Sequence, residues 1–147
     1  MTSYSLAQIE DAVMAALEEA LNDKAPTLRT YQGGGLDDLR QQTWPLPAVL
    51  VEMGQSRGYQ VTLGSADLSL EITVLVMVRD LRGEALARRE AGGAYELLEA
   101  VRAALWGQDL GLEVEPFSLV REEARLNTPE LTVYAAHYRT VMLHDFA

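Results

Sequence analysis

The first regular pattern of apolar positions lies near the N-terminus. Ile9, Val13, Leu17 and Leu21 recur every four residues, and acidic residues occupy the positions on the opposite side. This spacing places the apolar side chains on one face of a helix and the charged side chains on the other. Residues 5–22 are therefore predicted to form an amphipathic helix, and the serines that precede the pattern are typical of a helix start.

The next part of the chain, as far as residue 80, has the pattern of strands. Short segments rich in β-branched and aromatic residues alternate between polar and apolar positions, and turn residues separate them. Four strands are predicted, with the sequences PTLRTYQ, AVLVEM, GYQVTL and LSLEITVLVMVRD. The last two form a β-hairpin around the turn GSAD, and the intervening GGGLDDLRQQT predicts a turn that contains one helical turn.

The fourth of these strands is apolar on both faces. Alternate residues from Leu68 to Val78 share one face, since successive side chains of a strand point to opposite sides. Leu75 and Met77 lie on the other face and are also apolar. A strand covered on both sides lies inside a sheet, so this strand is predicted to be central.

The longest predicted helix spans residues 84–106. Its core stripe consists of Leu86, Leu97, Leu98, Val101 and Leu105. Gly92 and Gly93 interrupt it at a cost of about 1 kcal/mol each relative to alanine, so a break or kink is predicted there. Gly107 ends the helix, and two further strands, separated by NTPE, fill the rest of the chain.

This order of elements predicts an α+β fold. The strands form a mixed, mostly antiparallel sheet, and the two main helices pack on one of its faces. The length of 147 residues fits one domain, which is predicted to span residues 1–147.

Charge and composition narrow the classes of function. The chain has 12 basic and 22 acidic residues, a net charge of −10, whereas proteins that wrap nucleic acid need clustered Lys and Arg. An acidic wall suits a channel through which DNA slides, because it does not hold the DNA. Without cysteine there is no disulfide or thiolate chemistry. The start of the chain lacks a basic signal-peptide region, and no apolar run is long enough to span a bilayer, so we expect the protein in the cytoplasm where it is made.

One segment matches a catalytic motif. Gly54-x-Ser56-x-Gly58 follows an apolar strand, as in the nucleophile elbow of serine hydrolases. Ser56, Asp109 and His137 also occur in the hydrolase order. An elbow must lead into a helix, however, and the residues after Gly58 predict a strand. A hairpin loop is therefore the favoured interpretation, and a small hydrolase that uses Ser56 is the weaker alternative.

The other candidate sites are also weak. GGGLDDL lacks the Lys and Ser or Thr of a phosphate-binding loop, and its aspartates repel phosphate. His137 and His144 are seven residues apart on one predicted strand, so they point to opposite faces and cannot share a metal ion. No catalytic, cofactor or metal site is predicted. The chain has the pattern of a structural or interaction protein.

A cluster of charged residues stands at the junction of the central strand and the longest helix. It contains Arg79, Asp80, Arg82, Arg88 and Arg89. A solvated helix start is one interpretation. A subunit interface is the other, because Arg is enriched at interfaces, where it binds carboxylates through two hydrogen bonds.

Four segments together resemble a known family. YQGGGLDDL, LPAVLVEMG, VMVRDLRGEALARR and GAYELLEAVRAALWGQDLGLEVEP occur in an order and spacing similar to a small protein from the tail-gene clusters of Mu-like contractile phages and prophages. The resemblance extends from about residue 5 to residue 143, and the run from Val76 to Pro116 is its most specific part.

The resemblance implies a fold and a role similar to those of phage tail terminators. Such proteins form a ring, typically hexameric, at the head-proximal end of the tail tube. The ring stops the growth of tube and sheath and binds the head-side connector, while DNA passes through its lumen without specific binding. The expected location is the virion tail, and the host cytoplasm during assembly. No cofactor or membrane is implied. The alternative is another neck or tail-completion protein of a phage or a phage-derived injection device.

Candidate residues for the ring follow from this expectation. Subunit contacts are predicted at the arginines Arg57, Arg79, Arg82, Arg88 and Arg89. The lumen is predicted to be lined by acidic loop residues, with the candidates Asp37, Asp38 and Asp109.

Overall fold

A computed structural model describes residues 3–33, 35–80, 82–128 and 130–146. Gly34, Leu81 and Pro129, which belong to segments interpreted above, lie outside the described residues. The elements in chain order are α1 (Leu6–Leu21), β1 (Thr27–Thr30), α2 (Leu36–Gln41), β2 (Ala48–Gln60), β3 (Ser65–Val78), α3 (Glu84–Arg89), α4 (Ala94–Leu105), β4 (Ser118–Asn127) and β5 (Thr132–Asp145).

The strands form a five-stranded sheet in the order β1-β2-β3-β5-β4. β1 pairs with β2 in parallel, and all the other pairs are antiparallel. The predicted α+β class and mixed, mostly antiparallel sheet are thereby confirmed, and β3 is the central strand. Leu75 and Met77 are buried on one face of β3, while the alternate residues from Leu70 to Val78 are buried on the other.

The helices α1 and α4 pack together on one face of the sheet and are here called the helical layer. The predicted apolar stripe of α1 is buried, and its N-terminus is closed by a capping box between Ser5 and Gln8. From α4, Leu97, Val101 and Leu105 join the same core. The packing of both main helices on one face agrees with the prediction.

The other face of the sheet is only half covered. A second, smaller core lies between α2 and the end of the sheet near Leu75 and Val133. Tyr31 closes this core, and its hydroxyl donates a hydrogen bond of 2.5 Å to a carboxylate oxygen of Asp38. Burial, followed by the effect of Asp38, raises the pKa of Tyr31 to about 12. The half of this face towards the β2–β3 hairpin has no helix over it within the described chain.

The prediction of two separate strands, AVLVEM and GYQVTL, is wrong. They form one strand, β2, whose register with β3 shifts between Met53 and Ser56. A β-bulge accommodates the extra residues without ending the strand. Gly54 fits this position because a Cβ atom there would lie 3.0 Å from the carbonyl oxygen of Glu71.

The predicted break in the second long helix is confirmed. The segment divides into α3 and α4, and Gly92, between them, has φ of +80°. A side chain at Gly93 would collide with the end of α3, because its Cβ would lie 2.6 Å from the carbonyl oxygen of Ala87. The glycines therefore redirect the chain between two helices.

Candidate functional site

A polar surface of the sheet is the uncovered half that faces away from the helical layer. We call it the open sheet face; its residues are Gln55, Arg57, Tyr59, Ser69, Glu71 and Arg139. Strand alternation brings these residues to one side, since Arg57 pairs with Ser69 and Glu71 pairs with Arg139. They line a shallow groove of about 440 Å³.

Two exposed arginines line the groove. Arg57 is fully exposed, and a hydrogen bond with Tyr59 raises the pKa of its guanidinium. Arg139 is also exposed. Glu71 is the carboxylate between them, so the groove presents two cations and one anion.

Next to this groove, a hydrogen-bonded network crosses three strands. The hydroxyl of Thr73 on β3 lies 2.9 Å from Nδ1 of His137 on β5, and Nε2 of His137 lies 2.8 Å from a carboxylate oxygen of Glu123 on β4. Arg121 donates to the same carboxylate at 2.9 Å. Arg121 first and His137 second hold the pKa of Glu123 below its ordinary value.

The order hydroxyl, imidazole and carboxylate also occurs in hydrolases, but its setting here favours a structural role. Thr73 lies in the middle of the central strand, which pairs with β2 on one side and β5 on the other. Its backbone is therefore engaged in the sheet and cannot supply the free N–H groups that stabilise an oxyanion. The network connects the three adjacent strands through side-chain hydrogen bonds.

This network was not predictable from the sequence. Thr73 and His137 are separated by 64 residues, and only the pairing of β3 with β5 brings them together. The alternation of residues along β5 places His137 and His144 on opposite faces, as predicted, because they pair with Thr73 and Ala66. The described residues contain no group of His, Cys, Asp and Glu spaced to hold a metal ion.

The hydrolase alternative fails on geometry. Ser56 lies within β2 opposite Leu70, on the face that packs against the helical layer, whereas His137 lies on the other face. Asp109 lies in the loop after α4, where its carboxylate accepts a hydrogen bond of 2.9 Å from the backbone N–H of Gly111. Ser56, Asp109 and His137 are not brought together, and no helix follows Ser56.

The charged cluster around the end of β3 makes several polar contacts within the chain. Arg82 forms an ion pair of 2.8 Å with Asp80, and Arg79 donates a hydrogen bond of 2.6 Å to the carbonyl oxygen of Glu130. Arg88 donates to the side chain of Asn127 at 2.8 Å, and Arg89 is exposed. These contacts stabilise the junction between β3 and α3. The predicted role of the cluster in subunit contacts stays a prediction.

The three candidate lumen residues do not form one surface. Asp37 and Asp38 belong to α2, on the half-covered face, whereas Asp109 follows α4 at the end of the helical layer. Asp38 is engaged with Tyr31, and Asp37 and Asp109 are exposed. Their assignment to a lumen also stays a prediction.

The fold is that of an α+β protein with exposed charged residues on the sheet and on α1. The chain belongs to the family described as Bacteriophage Mu, Gp37, whose model matches residues 5–143. It is therefore a phage structural protein, and the resemblance to a tail-cluster family of Mu-like phages is confirmed. No curated protein matches the chain significantly. Among the described helices, none has the length and hydrophobicity needed to cross a membrane.

Proposed function

We propose that the protein is the tail terminator of a Mu-like phage or prophage. Copies of the chain form a ring on the head-proximal end of the tail tube, and this ring stops the growth of tube and sheath. The observation that carries the proposal is the match to the Mu Gp37 family over residues 5–143, almost the whole length of the chain.

Two features of the surface support this role. The sheet and the helical layer present different exposed surfaces, so one copy can bind the next through unlike surfaces. Such head-to-tail contacts close into a ring when the rotation between copies fits. The net charge of −10 gives the ring an acidic character, which suits a lumen through which DNA must slide.

The length of the tails tests the proposal. Deletion of the gene from the phage or prophage that encodes it is expected to yield tubes and sheaths of broad and excessive length, because nothing stops their growth. Electron microscopy of negatively stained lysates measures this length. Expression of the wild-type chain from a plasmid is the control and is expected to restore one length.

The same micrographs test the alternative role at the neck. A neck or tail-completion protein acts after the tail has reached its length. Its loss would leave tails of normal, uniform length that are not attached to heads. That result would contradict the terminator assignment.

A further inference from the structure

We propose that the open sheet face is the docking surface for the next copy of the chain, and that its occupant is the acidic outer face of α1 of that copy. The inference rests on the proposed ring and specifies which two surfaces form its repeating contact. It differs from the contact predicted at the charged cluster between β3 and α3.

The sheet side of this contact is cationic and accessible. Arg57 and Arg139 line the groove of about 440 Å³, and Glu71 is the carboxylate between them. α2 covers the other half of this face but does not reach the groove. A charged, uncovered concavity on a sheet face is a suitable seat for a surface of the opposite charge.

The helical side has the complementary charge. The residues of α1 opposite its buried stripe include Asp11, Glu18 and Glu19, all exposed. α1 contains no Lys or Arg to neutralise them. The first basic residue after α1 is Lys24, and its Nζ forms an ion pair of 3.6 Å with a carboxylate oxygen of Glu96 on α4. The groove carries one more cation than anions, and its charge is therefore complementary to that of α1 of a second copy.

Apolar surface at the end of the open sheet face extends the contact. Tyr59 and Val61 are about half exposed, and Leu63, at the tip of the β2–β3 hairpin, is fully exposed. Exposed apolar side chains grouped in this way mark interaction sites. Beside the acidic face of α1, a groove of about 660 Å³ between α1 and α4 is lined mainly by alanine side chains and can receive such a tip.

Pairing through the edge strand β4 is a less suitable way to join the copies than a face of the sheet. The edge strand β4 has two irregularities in its register and carries several charged residues. Both features oppose the addition of another strand. Two of its charges are also engaged within the chain, since Glu122 pairs with Arg102 and Glu123 pairs with His137. The contact between copies is therefore not assigned to the β4 edge.

A charge exchange tests the proposal. The double variant Arg57→Glu/Arg139→Glu is expected to weaken the association of copies about tenfold or more, because like charges then face each other. Glu18→Lys/Glu19→Lys is expected to do the same from the other side. The chain that combines all four changes is expected to recover association, since opposite charges meet again. Mass photometry measures the assembly, with purified tail tubes present as the template for the ring.

A matched control separates this contact from the rival one. Arg82→Glu/Arg88→Glu also reverses two arginines, and it is expected to leave association unchanged. Loss of association in that control, with none for Arg57→Glu/Arg139→Glu, would overturn the proposal. So would failure of the four changes together to restore association, provided that circular dichroism shows a folded chain.

Crosslinking gives a direct readout of contact. The chain has no cysteine, so a mixture of Arg57→Cys chains and Glu18→Cys chains can form a mixed disulfide only through the introduced residues. The proposal predicts that mixed dimers form on the tube. Wild-type rings without mixed crosslinks would refute the docking surface but leave the terminator role intact. Wild-type chains that never associate on the tube would instead refute the ring itself.

Discussion

Replacement of Phe117 by alanine is expected to lower the free energy of unfolding by about 3–5 kcal/mol. The side chain of Phe117 is 1% exposed and belongs to the core beneath the helical layer. Its backbone also joins the end of α4 to the start of β4. The N–H of Gly107 donates to its carbonyl oxygen, and its own N–H donates to the carbonyl oxygen of Gln108, both at 2.8 Å.

The adjacent aromatic residue supplies the control for this prediction. Trp106 lies in the same connection but is 53% exposed. Its replacement by alanine is expected to cost clearly less, about 1–2 kcal/mol, because only about half of the side chain is buried. Unfolding in urea, followed by circular dichroism, measures both variants. Equal losses at Phe117 and Trp106 would contradict the position of the core at this connection.

Replacement of Gly93 by alanine is expected to cost about 2–3 kcal/mol. The added Cβ would lie 2.6 Å from the carbonyl oxygen of Ala87, 2.8 Å from that of Glu90 and 3.0 Å from that of Arg88. All three are backbone atoms at the end of α3, so they cannot move aside as a flexible side chain can. Relief of the collision requires α3 and α4 to separate, which disturbs the core that α4 forms with the sheet.

Gly58→Ala is the control for the Gly93→Ala variant. A Cβ at Gly58 has open space around it, and its φ lies outside the left-handed region. The free energy of unfolding of the Gly58→Ala variant is expected to stay within about 0.5 kcal/mol of the wild-type value. The comparison uses the same urea titration. An unchanged free energy of unfolding for Gly93→Ala would contradict the close contact between Gly93 and the end of α3.

The elements that follow strong local patterns were predictable from the sequence. α1 has a strict four-residue apolar period, and its stripe is buried as that period requires. β3 is apolar on both faces at one end and is the central strand. The glycine pair before α4 correctly predicted a break, because the backbone there adopts an angle that other residues resist.

The continuity of β2 between its two predicted segments, AVLVEM and GYQVTL, was not predictable from the local pattern. GQSRG contains no apolar residue, and this part of the strand lies beyond β1 and is exposed. Its strand structure depends on pairing with β3 across a bulge, which local sequence does not reveal. The same stretch that matched a serine nucleophile motif thus carries Arg57 on a strand.

The grouping of the polar residues of the candidate site was not predictable for a related reason. Thr73, Glu123 and His137 are far apart in sequence and meet only because β3, β5 and β4 are adjacent. The extent of the open sheet face depends on where α2 ends across the sheet. Neither the network nor the extent of the open sheet face is indicated by a short sequence pattern. The family resemblance, in contrast, was carried by extended segments of sequence.

The central claim is that a ring of this protein closes the head-proximal end of the tail. Cryo-electron microscopy of isolated tails, with the protein located by a specific antibody fragment, tests it most directly. We expect one closed ring at that end and no copies along the tube or at the opposite end. Copies distributed along the tube, or a single copy at the tip, would contradict it.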